Sequence, residues 1–467
     1  MIEDAQMGTF PMKQTLRGLT PRVLLPYWER LEASPISYRL ARGAFWSVTG
    51  AVLSRGLGLV AGIIVARILG KAGFGQFGII RGTIEMVGTF AGFGLGVTTT
   101  KYVAELRDKH PERASRILAL SGIVAWTTGA VASAVLAMLA PWLAAHTLAA
   151  PELTTEIRIG ALLVLVGAIN GAQTGALAGF EAFKRITQVN FWGGMANFPC
   201  LTLGSWLFGL KGAVAGLATA QAIGCILNRR ALVAEARRAR VPLWSSGWSS
   251  EFPVIWKFSL PAVMAGALVA PVYWFSQTLL VRQPSGYLGA ADFALGAQWR
   301  SLAQYLPSLL CAAYLPVAAS VHANNPSGRR RLMFGGAAFS AAITAVIGGA
   351  VFLFSPWLLA AYGKGFASAK WVLAWMLVTA VIDSINTIFV QTLMASGQAW
   401  LRLLSNGLWA ILALGSSLLL VPAYGALGLA MALCAAQSIH LCLQTCLSLY
   451  ATRQTTIPSK PEEIVAV

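Results

Sequence analysis

Polar positions in this chain come in short clusters separated by long apolar runs. Runs of spanning length fall at 43–66, 77–99, 117–142, 157–179, 189–209 and 213–228, and again at 254–281, 290–316, 333–355, 371–394, 401–422 and 425–449. About 20 consecutive apolar residues cross a ~30 Å hydrocarbon core as a helix. The pattern predicts an all-α integral membrane protein of twelve transmembrane helices. An even number puts both termini on one side.

The first two runs organise the reading. Residues Arg42 to Leu106 read as two long helices joined by a short Gly-rich turn, Gly70 to Gly78, with Arg55 inside the first and Arg81 and Glu85 inside the second. At 1.5 Å per residue, Arg55 stands roughly 18 Å into a helix that starts near Gly43, close to mid-membrane. A charge at that depth costs at least ~2.5–3.5 kcal/mol unless it faces water or protein. Arg55 is therefore expected to face an interior, where it would attract an anion.

Lysine and arginine orient the spans. With the N-terminus inside, 25 of the 35 fall in cytoplasmic segments or at the span ends beside them, seven in or beside the opposite loops (Arg67, Lys71, Arg158, Lys211, Arg282, Lys364 and Lys370), and three well inside spans (Arg55, Arg81 and Arg300). That bias is the positive-inside signature, and it places both termini in the cytoplasm. The same clustering at membrane ends accounts for the net charge of +18, so no nucleic-acid partner is implied. The acidic start MIEDAQMGTFPMKQ does not have the form of a cleaved signal peptide.

The chain also repeats itself. At an offset of 216, Gly50 matches Gly266, Gly70 matches Gly286, Phe77 matches Phe293, Asn190 matches Asn406, Gly209 matches Gly425, and Gly212 matches Gly428. Two repeats of six spans enter the membrane in the same direction, and a site between them near mid-membrane is the usual transporter arrangement. The expected organisation is a cytoplasmic tail over 1–40, a six-helix lobe over 41–230, a cytoplasmic linker over 231–251, a second lobe over 252–450, and a cytoplasmic tail over 451–467.

At this point a resemblance can be stated. ARILGKAGFGQFG (Ala66 to Gly78) and GFGLGVTTTKYVAEL (Gly92 to Leu106) resemble the opening hairpin of the Wzx-type polysaccharide transporters, lipid-linked oligosaccharide flippases of the MOP superfamily. The resemblance implies a V-shaped, MATE-like bundle in the bacterial inner membrane that works by alternating access. It implies as cargo a polyprenyl-diphosphate-linked oligosaccharide carried to the periplasmic leaflet for surface or exopolysaccharide synthesis. Its partners would be that cargo, membrane lipids and a polymerase of the same pathway. No cofactor is implied; the question of coupling to a proton or sodium gradient rests on the intramembrane acids.

The residues give that function a form. Arg55 and its counterpart Arg300 are candidate diphosphate ligands, because the planar guanidinium donates two parallel hydrogen bonds to phosphate oxygens. Arg81 joins them, and Gln298, Trp299 and Gln304 are candidates for sugar contacts. Glu85 and Asp383 are candidate cavity acids for ion coupling. Other pairings stay open: Arg81 with Glu85 one turn away, Arg300 with Asp383, or Arg55 with Glu85. Pro261, Pro271, Pro307 and Pro316 are candidate hinges, since each removes a helical hydrogen bond. Enzyme signatures are absent: the six cysteines lie in apolar runs without metal-type spacing, and Gly70 to Gly78 lacks the GK[ST] ending of a phosphate loop. The rival classes are a cation-coupled multidrug exporter on the same fold and an integral membrane polymerase or ligase. The intramembrane arginines disfavour the first, and short external loops disfavour the second.

Overall fold

The computed structural model describes residues 35–259, 263–264, 267–308, 326–395 and 399–454, and among these all regular structure is helical. Only helices and closed barrels satisfy every backbone polar group within hydrocarbon. The main helices are α1 (Pro35–Ala91), α2 (Leu95–Leu106), α3 (Pro111–Trp142), α4 (Thr154–Gly179), α5 (Phe183–Arg238), α6 (Val269–Val281), α7 (Gly286–Ala303), α8 (Pro326–Leu353), α9 (Ser355–Tyr362), α10 (Ala369–Ala395) and α11 (Ala399–Gln454). Seven helical stretches are long and apolar enough to cross a membrane, and α6 is a shorter apolar helix. The chain divides into two compact units, residues 1–53 and 54–467. In the first, residues 35–53 are helical, while the expected tail lies outside the described residues as far as position 34.

Three of the helices are folded in two. The backbone breaks at Gly70 (φ 69°, ψ 175°) in α1, at Phe208 and Gly209 (φ 58°, ψ −136° at the glycine) in α5, and at Gly425 (φ 56°, ψ −130°) in α11. Positive φ costs glycine almost nothing and side-chain-bearing residues a good deal. Beyond two of these breaks the arms close tightly. A Cβ on Gly212 would fall on the Gly204 carbonyl, and one on Gly428 on the Leu420 carbonyl. These two pairs occupy matching positions at the 216-residue offset, so both turns share one geometry.

Several expected boundaries move. The stretch Gly70 to Gly78 is not a loop: helix resumes at Lys71, and the later glycines sit within the second arm of α1. They serve a crossing, because a Cβ at Gly75 would strike the Tyr287 carbonyl of α7 and one at Gly78 would press on Ala294. The run 77–99 is interrupted where Phe93 (φ 44°) and Gly94 (φ 62°) reverse the chain between α1 and α2. The run 254–281 is not one helix either: a π turn spans Ile255–Ser259, and α6 begins at Val269.

The hinge prolines divide accordingly. Pro271 lies in the first turn of α6, where its missing N–H breaks no bond. Pro307 follows the end of α7, and the irregular residue Gln304 precedes it by about one turn. Pro261 and Pro316 lie outside the described residues. Prolines within helices occur at Pro141, Pro199 and Pro422, positions not singled out from the sequence.

A central apolar core joins α1, α3, α4, α7 and α10, with further cores among α6, α10 and α11 and among α2 to α5. Large apolar side chains also face outward, such as Met138 (79% exposed) and Leu419 (77% exposed), as lipid contact requires. Gly425→Ala should cost about 1–3 kcal/mol, the usual cost of forcing a side chain into a glycine conformation. Gly407, a helical glycine with open space around its Cβ position, is the control. The melting temperature of detergent-purified protein should fall for the first substitution and hold for the second.

Candidate functional site

A cavity of about 700 Å³ lies between the N-terminal helices α1 and α5 and the C-terminal helices α6 and α7. Its walls carry Arg55, Arg81 and Glu85, the amides Asn197, Gln277 and Gln298, and the aromatics Tyr273 and Trp274. Glycines on α1 make room for the amides: Gln298 lies against Gly62, and Gln277 approaches Gly82 to 3.5 Å of its Cβ position. Trp274 is fixed by a hydrogen bond from its indole N–H to the Thr83 hydroxyl (2.8 Å), and Thr83 in turn donates to the Ile79 carbonyl.

The charges are not equivalent. Arg81 donates its Nε–H to Glu85 Oε1 at 2.8 Å, one turn along α1, and both side chains are 61% exposed. So exposed a pair is worth at most ~1 kcal/mol, and the terminal nitrogens of Arg81 are left for another acceptor. Arg55 is exposed and has no acid paired with it among the described residues. Its guanidinium stacks 4.5 Å from the centre of the Tyr305 ring. The Arg55–Glu85 pairing does not form, because Glu85 is engaged by Arg81.

Arg300 takes the pairing with Asp383 that stood as the alternative to a diphosphate contact. Its Nη2 lies 2.6 Å and its Nε 2.9 Å from Asp383 Oδ2, and Gln304 donates to the same oxygen at 2.6 Å. Both ionic side chains are largely buried, 15% and 13% exposed. Arg300 is thus a neutralised brace between α7 and α10 and not a free cation beside Arg55. It lines a separate cavity of about 400 Å³ with Gln304, Pro307, Asp383 and Arg402. Trp299 also turns away from the main cavity: its indole N–H donates to the Tyr362 hydroxyl (3.1 Å), which donates to Gln298 Oε1 (3.2 Å). Of the residues expected in one site, the main cavity gathers Arg55, Arg81, Glu85 and Gln298. It adds Asn197, Tyr273, Trp274 and Gln277, which the sequence does not mark out because amides and aromatics also occur where they merely pack.

A bundle of apolar helices around a polar, water-accessible cavity with an uncompensated arginine is the architecture of a membrane transporter. The chain belongs to the polysaccharide biosynthesis protein family, whose model matches residues 40–322. Among similar curated proteins, the EPS I polysaccharide export inner membrane protein EpsE of Ralstonia nicotianae is 24% identical over 407 residues, covering 85% of this chain and 90% of that one. The lipid III flippase of Escherichia coli K12 is 22% identical over 413 residues, covering 86% and 97%. The fold matches an inward-facing multidrug resistance MATE family transporter of the MOP superfamily with a TM-score of 0.74 at 14% identity, over 89% of this chain and all (100%) of that one. It matches the lipid II flippase MurJ, inward closed, with a TM-score of 0.68 at 13% identity, over 88% and 90%. The resemblance of the opening hairpin to Wzx-type MOP transporters is borne out, and these relatives are named as exporters and flippases, not as enzymes.

Removing one member of a buried ion pair strands the other, at a cost of about 3–5 kcal/mol, whereas replacing both with apolar residues is often tolerated. Asp383→Ala should therefore lower the melting temperature and folded yield markedly. Arg300→Met combined with Asp383→Leu should restore most of both, as size-exclusion chromatography and thermal unfolding would register.

Proposed function

We propose that this protein is a flippase that carries a polyprenyl-diphosphate-linked oligosaccharide from the cytoplasmic to the periplasmic leaflet of the bacterial inner membrane. The observation that carries the reading is Arg55, an arginine with no acid paired with it among the described residues, in a cavity that also presents the Arg81–Glu85 pair, amides and aromatic rings. Such a cavity is matched to a cargo head of diphosphate and sugars. Arg55 takes the diphosphate through its planar fork, and Arg81 adds its terminal nitrogens while its Nε stays with Glu85. Asn197, Gln277 and Gln298 offer hydrogen bonds to sugar hydroxyls, and Tyr273 an apolar face. The prenyl tail remains in lipid, so the cavity has to shelter only the polar head. A cationic drug would be repelled by the same arginine.

The architecture that goes with this reading is twelve spans in two six-helix repeats, with lobes over 41–230 and 252–450, the linker 231–251 between them, and both termini cytoplasmic. The matching turns at Gly209 and Gly425 support the repeat, and the lysine and arginine bias supports the orientation. Of the two candidate coupling acids, Glu85 faces the cavity while Asp383 is held by Arg300, so coupling to a proton or sodium gradient is assigned to Glu85. A polymerase of the same pathway would be the protein that takes up the delivered cargo.

Loss of the protein should accumulate lipid-linked oligosaccharide on the cytoplasmic face while the sugar-building enzymes stay active. Normal translocation with a failure to join repeat units would replace this reading with the polymerase one. Arg55→Ala should abolish transport without loss of folded yield, since it removes a mid-membrane charge that no acid among the described residues neutralises. Arg55→Lys keeps the charge but loses the fork and should retain partial activity. Transport in inverted vesicles and yield by size-exclusion chromatography measure the two quantities separately. For the orientation, a single cysteine at position 240 should react with an impermeant maleimide only from the cytoplasmic side.

A further inference from the structure

Phe74 lines the cavity and packs edge-on against Tyr362 and Phe366, with ring centroids 6.1 Å away in each case. All three rings are nearly inaccessible, at 4%, 1% and 1% exposed. Beyond this aromatic layer the two sequence halves are fastened to each other by side chains that reach across to backbone carbonyls.

The fastening has an internal symmetry. Arg67 of the first half donates to the Ala361 carbonyl (2.5 Å) and the Ala360 carbonyl (3.4 Å), near the C-terminus of α9 in the second half. Arg282 of the second half donates to the carbonyls of His146 and Thr147, in the π turn that closes α3 in the first half. Arg67 and Arg282 stand 215 positions apart, as do Ala361 and His146, within one residue of the repeat offset. Each half thus caps a helix end of the other, where carbonyls lack partners and the helix dipole favours a cation. A second set of contacts joins the same halves. Lys71 donates to the Gly365 carbonyl (2.9 Å) and the Ser368 hydroxyl (2.6 Å) and lies 2.7 Å from Asp292 Oδ1, while Tyr287 donates to the Leu148 carbonyl (2.7 Å). The Lys71 and Asp292 side chains are only 13% and 9% exposed.

We infer that Arg67, Lys71, Arg282 and Tyr287, with Asp292, form a two-sided clasp that holds the cavity shut on the side away from the cytoplasm, and that its release opens the cavity there. This rests on the transporter reading above. The acceptors are mostly backbone carbonyls, so they persist in any variant, and only the donors can be removed. Because the two arginines are exchanged between the halves, both fastenings must let go together. A device of this kind favours an open and a shut state over intermediate ones.

The test uses the full-length protein without native cysteines, carrying Ser301→Cys in the cavity wall. A membrane-impermeant maleimide is applied to either side of sealed vesicles. With the clasp intact, labelling should proceed from one side only. Arg67→Ala with Arg282→Ala should raise labelling from the second side by roughly tenfold or more, since a charge-assisted hydrogen bond shifts a two-state equilibrium by about that factor. Lys71→Glu should do the same by opposing Asp292 with a like charge, and Lys71→Asp with Asp292→Lys should restore one-sided labelling, which controls for misfolding. One-sided labelling in the monodisperse double-arginine and Lys71→Glu variants would overturn the clasp. The readout needs no cargo: failure to translocate cargo with this labelling pattern intact would sink the flippase reading alone, while protection of the cytoplasmic side would overturn the placement of the clasp.

Discussion

A charge carried into hydrocarbon must meet an opposite charge, a carbonyl or water, and this requirement governs how the helices are placed. Asp383 meets Arg300 and Gln304 between α7 and α10, and Asp292 meets Lys71 between α7 and α1. Arg67 and Arg282 meet helix-end carbonyls. Each of these contacts joins elements far apart in sequence, so matching charges and assembling the bundle are one process. Arg55 is the exception: it has a tyrosine face and, among the described residues, no acid paired with it. An uncompensated charge is retained at a mid-membrane cost of several kcal/mol only where something else gains from it.

Much of this was legible beforehand because hydrocarbon leaves few options. The apolar runs, the bias in lysine and arginine, and the 216-residue repeat all follow from rules that act on composition and position. Partner choice does not. Arg300 and Asp383 lie 83 positions apart in sequence, and nothing in either neighbourhood says whether the arginine awaits cargo or an acid. Asp292 sits two residues inside a predicted span with nothing to mark it out, and Lys71 has the look of an ordinary loop charge, although together they form one of the most enclosed ion pairs among the described residues. The glycines misled in another way. Gly75 looked like part of a turn, yet its lack of a side chain serves a helix crossing with Tyr287, which local sequence cannot reveal. Apart from Gln298, the aromatic and amide lining is not marked out in the sequence for a related reason, since Tyr, Trp and Gln have the same appearance whether they face cargo or core.

The close crossing of α1 and α7 and the clasp divide the labour. Backbone-to-backbone approach at Gly75 brings the two halves into direct contact. The clasp beyond it supplies directed bonds that form or fail as a set. Between the crossing and the cavity mouth the walls are amides, single rings and a loosely held ion pair, groups able to rearrange around a flexible sugar chain.

The unmatched arginine has one further consequence, which concerns voltage. Arg55, Arg81 and Glu85 leave the empty cavity with one positive charge in excess. In a membrane with a negative interior, moving one elementary charge across the full potential is worth about 2.3 kcal/mol per 100 mV. On the proposed reading, that field draws the empty, cationic cavity back toward the cytoplasm. A cavity neutralised or made anionic by a diphosphate is either released from that pull or driven outward. The cell's electrical gradient would then bias both strokes of the cycle toward export, before any coupling ion is considered.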